Sequence, residues 1–139
     1  MGAFLGTYNS ADVEVIVQGR TLSAYGAEPQ IAAARNEESE SDTVVGVNGD
    51  FTYVKNNDRS GSVSVNLKQL SQDNIFLSSL AEAEAIFPIV VRHKNAALTE
   101  IINIVQGIVM TRPRLEFNKS DTDRLWVLGA GILSETVKS

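Results

Sequence analysis

Apolar and polar residues alternate first at Val13, Val15 and Val17, which interleave with Asp12, Glu14 and Gln18. A period of two is what a strand with one buried face requires. Gly19 offers a turn, Thr21 and Leu22 begin a return strand, and residues 27–29 read as a break ending at Pro29. Ile31 to Arg35 makes another short segment. Val44, Val45 and Val47 then precede Asn48-Gly49, with Phe51, Tyr53 and Val54 beyond, the strongest short-range hairpin signal in the chain. After a turn at Asn56, Asn57 and Asp58, the cleanest alternation follows: Val63, Val65 and Leu67 against Ser62, Ser64, Asn66 and Lys68.

The period then changes. Phe76, Leu77, Leu80 and Ala81 share a face at helical spacing, Ser71 is placed to cap, Asp73 opposes the helix dipole, and Leu70 is positioned to staple against Ile75. This predicts one helix over about 71–83, ending weakly through Glu82, Ala83 and Glu84. Residues 86–93 read as a buried strand whose Pro88 belongs at an edge or at the strand start. Ile101, Ile102, Ile104, Val105 and Ile108 favour a strand over a helix because they are β-branched. Arg112-Pro113 breaks that run, residues 118–124 form a polar connection, and residues 125–133 supply a last strand weakened by Gly129 and Gly131. The prediction is a mainly β fold, a two-sheet antiparallel β-sandwich or half-barrel with one short flanking α-helix.

At 139 residues the chain has the length of a single domain, and its 43% hydrophobic and 21% charged residues are ordinary for a globular protein. The net charge of −5 disfavours a surface that grips phosphates, and the absence of cysteine excludes disulfides, thiolate metal sites and a cysteine nucleophile. No basic-then-apolar leader opens the chain, and the apolar clusters at 85–91 and 101–110 are too short or broken to span a bilayer. The expectation is a soluble chain, made in a cytoplasm, without membrane contact.

Catalytic patterns are missing. His93 is the single histidine and has no second His or Cys at ligand spacing, so an ordinary strand-end residue outweighs a zinc ligand. No Gly-x-Ser-x-Gly elbow occurs, and Gly129-Ala130-Gly131 lies in a predicted strand, where glycine marks a bulge. The expectation is no enzyme, no cofactor and no metal. Glu37, Glu38, Ser39, Glu40, Ser41 and Asp42 hold four carboxylates but lack the order of a calcium loop, so a solvated loop is favoured over calcium. A third reading makes this stretch an arm that meets basic residues of a neighbouring subunit. Arg112, Arg114, Lys119 and Arg124 are the one basic concentration, diluted by Glu116, Asp121 and Asp123 into a mixed surface. Trp126, the only tryptophan, reads as a core or interface anchor.

Taken in order, these features resemble the tail tube proteins of contractile-tailed, myovirus-type bacteriophages, a family of phage structural proteins. The likeness runs from about residue 12 to 128. It is carried by Arg35-Asn36-Glu37, Gly49-Asp50, the turn from Asn56 to Gly61, Leu67-Lys68-Gln69, and Ser71-Gln72-Asp73-Asn74 leading to Leu80. Later come Met110-Thr111-Arg112-Pro113, Glu116-Phe117 and Arg124-Leu125-Trp126. The alanine run at 32–34 and the apolar Gly129-Ala130-Gly131-Ile132 depart from the pattern.

The resemblance implies a single tail-tube-like domain over 1–139, with an extended acidic hairpin at about 31–55 that reaches an adjacent ring and lacks an apolar face. It implies homohexameric rings stacked into a hollow tube, one sheet of each subunit joining its neighbours in the inner wall. Its partners would be copies of itself, then sheath, baseplate and tape measure proteins, with DNA as non-specific cargo inside a virion tail. Contacts would involve the acidic run with Asn48 and Gly49, and Arg112, Arg114 and Arg124. An acidic wall repels a passing duplex over about a Debye length, so lubrication is the expected mechanism. The alternatives are the tube of a bacteriocin or type VI-like machine, and a monomeric β-sandwich binding module.

Overall fold

Val13–Val17 forms β1 and returns through Gln18 and Gly19 into β2, Arg20–Thr21. Both loop residues have positive φ, 49° and 81°, so this two-residue loop twists with its strands. The structure is a computed structural model and describes residues 2–9, 12–23, 25, 31–37, 39–95 and 97–138. The predicted break at 27–29 lies outside the described residues. The remaining elements are β3 (Ile31–Arg35), β4 (Ser41–Val45), β5 (Phe51–Lys55), β6 (Gly61–Lys68), α1 (Asp73–Glu82), β7 (Phe87–Lys94), β8 (Thr99–Thr111), β9 (Asp123–Ala130) and β10 (Ser134–Lys138).

Seven strands follow one another in the order β2-β1-β7-β8-β9-β6-β3, β10 joins the side of β8, and all pairings are antiparallel. The expected mainly β, antiparallel, one-helix fold is thus present, with its two layers made from the halves of one coiled eight-stranded sheet. β4 and β5 form a separate two-stranded sheet. Coiling brings the ends of the long sheet together. Val15 and Val17 of β1 share a core with Val63, Val65 and Leu67 of β6, and Phe87, Ile89, Ile104, Leu128 and Leu133 fill the space between them. Removing such side chains from water stabilises the fold by ~1.5–3 kcal/mol each.

The sequence alternation survives in β6, where Gly61, Val63, Val65 and Leu67 are buried and the intervening residues face outward. Gly61 is required there by space: a β-carbon would lie 2.7 Å from both the Ala34 carbonyl oxygen and the Leu133 side chain. β8 is the strand that its β-branched residues predicted, and it is longer than expected. Pro88 is the second residue of β7, which lies in mid-sheet between β1 and β8 rather than at an edge. The ladder tolerates it at a register shift between Phe87 and Ile89, and its carbonyl accepts from Gln18 N–H at 3.0 Å.

Two expectations change. The last strand, read as 125–133, is β9 followed after a short interruption by an additional strand, β10. Ala130 pairs with Gly107 and Ser134 with Asn103, so the register runs unbroken across the interruption, and both segments lie along β8 as one line. Leu133 is fully buried at the gap and its N–H donates to Arg59 O at 2.7 Å. At the helix start, Gln72 occupies the cap position, and Ser71 contributes by accepting from Asp73 N–H at 3.3 Å. Leu70 remains 83% exposed and Ile75 66% exposed, so neither is stapled into the body.

Asp73 does more than oppose the dipole. Only 2% exposed, it accepts from Arg20 Nε at 2.8 Å and from Ser23 N–H at 2.6 Å, tying the β1–β2 hairpin to α1. At the other end Ala85 N–H donates to Leu80 O and Glu84 N–H to Ala81 O, each at 3.1 Å, with Glu84 at φ 52°. This is a Schellman ending with glutamate where glycine is usual.

Candidate assembly surfaces

Among the described residues, fifteen hydrophobic side chains are buried, whereas twenty-one large hydrophobic ones are exposed. The chain presents 9415 Å² to solvent. A compact monomer of its 15.0 kDa would present roughly 7,000 Å². Thirteen of the exposed hydrophobic side chains gather in an arm, a groove and the N-terminal segment.

The arm is the β4–β5 hairpin. Every residue in both strands is exposed. Pairing sets Thr43 opposite Tyr53 and Val45 opposite Phe51, so these four side chains share one face. Val44 and Val54 occupy the other face, and Val47 at the tip is 106% exposed. The arm was expected to lack an apolar face; it has one, because the carboxylates sit at its root and β-prone residues fill its strands. Gly46 N–H donates to Asp50 O at 2.7 Å and Gly49 N–H to Gly46 O at 3.1 Å, with Gly49 at φ 88°. Asn48-Gly49 therefore makes the predicted hairpin through a three-residue loop with glycine in the left-handed position.

At the arm's root, Glu40 accepts from Arg35 Nη1 at 2.7 Å and lies 3.9 Å from Arg59 Nη1. Asn56 Nδ2 donates to Ser39 O at 2.9 Å, and Asn36 N–H to Ser60 O at 2.9 Å. Ser60 donates to Asp58 Oδ1 through both its N–H and its hydroxyl, which hold the Asp58 carboxyl below its ordinary value. Glu37 approaches Ser39 N–H at 3.5 Å, while Ser41 and Asp42 already belong to β4. Glu38 lies outside the described residues. The expected solvated loop is thus shorter than read.

The groove lies between α1 and residues 112–122. Leu70 and Ile75 line one side, Leu115 and Phe117 the other, enclosing a volume of about 930 Å³. Arg112 reaches across the exposed rim to Glu82 Oε1 at 3.0 Å and Ser78 Oγ at 2.6 Å. Arg114 points outward and pairs with Glu116 at 3.3 Å. Arg124 is only 4% exposed: it donates to Thr122 Oγ1 at 2.6 Å and to Glu116 O at 3.1 Å, and its guanidinium lies 5.7 Å from the Phe117 ring. Of the three arginines singled out from the sequence, Arg112 and Arg114 face solvent, whereas Arg124 holds the connecting segment together from within. Trp126 is a core anchor, its Nε1–H donating to Asn74 Oδ1 at 2.9 Å. Asn74 in turn donates to the Lys68 and Gln69 carbonyls, fixing the groove floor.

The N-terminal segment adds exposed Phe4, Leu5 and Tyr8, and is held by Asn95 Nδ2 donating to Thr7 O at 2.8 Å. Tyr8 lies against His93, whose Nδ1 is 3.3 Å from Glu100. No described group of three or more acidic or imidazole side chains could hold a metal ion, and no described helix is long and apolar enough to cross a membrane.

No protein-family model matches the sequence, and no curated protein matches it. The fold, by contrast, has solved counterparts. The anti-feeding prophage cap, an AFP tube terminating cap, superposes with a TM-score of 0.69 at 10% identity, over 100% of this chain and 96% of that chain. A chain of the gene transfer agent virion gives 0.63 at 13% identity, over 94% and 99%. The PVC sheath/tube terminator of an extracellular contractile injection system gives 0.62 at 8% identity, over 94% and 96%. The chain therefore has the fold used by components of contractile injection and phage-like particles, in agreement with the resemblance carried by its motifs.

Proposed function

We propose that the chain is a structural subunit of a tail or injection tube and works by forming rings with copies of itself. The observation that carries this reading is the set of exposed apolar side chains gathered on the arm and along the groove. Monomers rarely leave such patches uncovered. The fold shared with tube terminators and a virion chain supports the same reading.

In this reading the rings are hexameric and stack into a conduit for DNA, with sheath, baseplate and tape measure proteins as partners in the particle. The arm reaches a neighbouring subunit, placing Val45, Val47, Phe51 and Tyr53 on apolar surface there. Glu37, Glu40 and Asp42 at its root come near Arg112 and Arg114 of the neighbour. The role is non-enzymatic and needs no cofactor, and the net charge of −5 suits a wall that does not hold DNA.

A second reading, a terminating ring at the end of the tube, is favoured by a specific observation: two of the superposed structures are a terminating cap and a sheath/tube terminator. Light scattering and electron microscopy of the purified chain separate the two. Stacked rings support the tube subunit and single rings support the terminator. A chain that remains monomeric at high concentration and is absent from purified particles overturns both.

A further inference from the structure

The arm's tip also carries chemistry that assembly does not use. Asn48 is followed by Gly49, and no other asparagine in the chain precedes a glycine. Glycine has no side chain to shield its backbone nitrogen, so this pair offers the least hindered approach of a main-chain nitrogen to a side-chain amide. Residues 46–50 are all exposed. One hydrogen bond, from Gly49 N–H to Gly46 O at 3.1 Å, occupies that nitrogen in the closed loop. Both flanking strands are solvated along their whole length, so opening the tip requires no core to be broken.

We infer that Asn48-Gly49 is a site of self-modification, at which the asparagine converts to aspartate and isoaspartate when the tip is free in solution. Gly49 nitrogen loses its proton to solvent base and attacks Asn48 Cγ. A carbon–nitrogen bond forms, the side-chain amide leaves as ammonia, and a five-membered imide closes. Water then opens the imide at either carbonyl: one route gives aspartate, the other isoaspartate with the main chain rerouted through the former side chain. No redox partner is needed.

Both products alter the arm. Each adds a carboxylate two residues from Asp50. The isoaspartate product also inserts a methylene into the backbone between residues 48 and 49, so the Gly46–Gly49 and Gly46–Asp50 hydrogen bonds no longer close in the observed loop. The register pairing Val45 with Phe51 depends on that closure. The modification therefore acts where the exposed apolar face meets the tip.

The test incubates the full chain at mildly alkaline pH and physiological temperature and follows each asparagine by peptide mass spectrometry, with electron-transfer fragmentation to distinguish isoaspartate. Conversion is expected several-fold faster at Asn48 than at Asn36, Asn57 or Asn118, slowed at pH 5, and lost in Asn48→Gln, whose longer side chain closes a less favourable six-membered ring. Conversion of the folded chain that is no faster at Asn48 than at these other asparagines overturns the inference. So does a native tip that stays intact while the urea-unfolded chain converts. A parallel arm compares free subunits with particles: protection only in particles supports the proposed arm contact, and equal rates in both count against that contact while leaving the modification site standing.

Discussion

The coiled-sheet body and the hairpin arm are built from similar residues and end in opposite conditions. In β6 every second residue is buried, whereas β4 and β5 carry Val44, Val45, Phe51, Tyr53 and Val54 and bury none of them. The difference lies in what each strand can pair with. β6 lies between β9 and β3 and turns its apolar face toward β1 and β7. The arm has only its own return strand, and a lone two-stranded hairpin is at best marginal in water. The body thus buries its apolar face within one chain, whereas the arm leaves its own exposed.

Paired phenylalanines give the sharpest attempt to break this contrast. Phe87→Ala should cost about 3–5 kcal/mol of folding stability, because it empties a fully enclosed site. Phe51→Ala should shift urea unfolding of the monomer by no more than about 0.5 kcal/mol, as an exposed substitution does, yet abolish ring formation in light scattering. Equal losses of stability in the two variants would mean that the arm belongs to the body's cooperative unit. Next in size is Asp73→Ala, which leaves the Ser23 N–H without its acceptor and Arg20 without its counter-charge. A loss of roughly 2–3 kcal/mol is expected. Amide exchange should locate the change in the β1–β2 hairpin and α1, leaving the arm untouched.

The contrast also marks how far the sequence was legible. β1, β6, β7 and β8 were readable because their burial follows from local alternation or a β-branched run, and the Asn-Gly hairpin because turn chemistry is local. β10 escaped because its residues, Ser-Glu-Thr-Val-Lys, hold one apolar side chain and owe their strand conformation to the ladder along β8. The arm's apolar face escaped because acidic residues at its root dominated the reading, while the shared face of Val45, Phe51 and Tyr53 emerges only from cross-strand register. Arg124 was visible as a charge, but its burial depends on residues 112–122 folding over it. The groove joins segments thirty or more residues apart, a separation that no local pattern spans.

A smaller effect sharpens the boundary of the body. Glu84 holds a left-handed conformation that costs an L-residue about 1–2 kcal/mol, and glycine adopts it freely while losing more entropy on folding. Glu84→Gly should therefore stabilise the body by about 0.5–1 kcal/mol, measured as a raised urea midpoint with unchanged ring formation. A loss of stability would mean that the glutamate side chain contributes a contact beyond its backbone role.

The smallest effect lies at the junction of arm and body. Ser60 donates twice to Asp58, so the Asp58 carboxyl titrates below its ordinary 3.8. A carboxyl with a depressed folded value favours the folded loop above its unfolded value, and the contribution is lost as pH falls through the folded one. The junction should therefore be unchanged from neutral pH down to about the ordinary carboxylate range and loosen only below it. Followed by nuclear magnetic resonance, the Ser60 amide should move with a midpoint under 3.8. In Asp58→Asn that transition should vanish while global unfolding stays where it was, because the group is fully solvated. A Ser60 midpoint at or above the ordinary value would mean that the two donated hydrogen bonds do not hold the junction in solution, and that the arm is held at its root by the Glu40–Arg35 pair and the Asn36 and Asn56 hydrogen bonds instead.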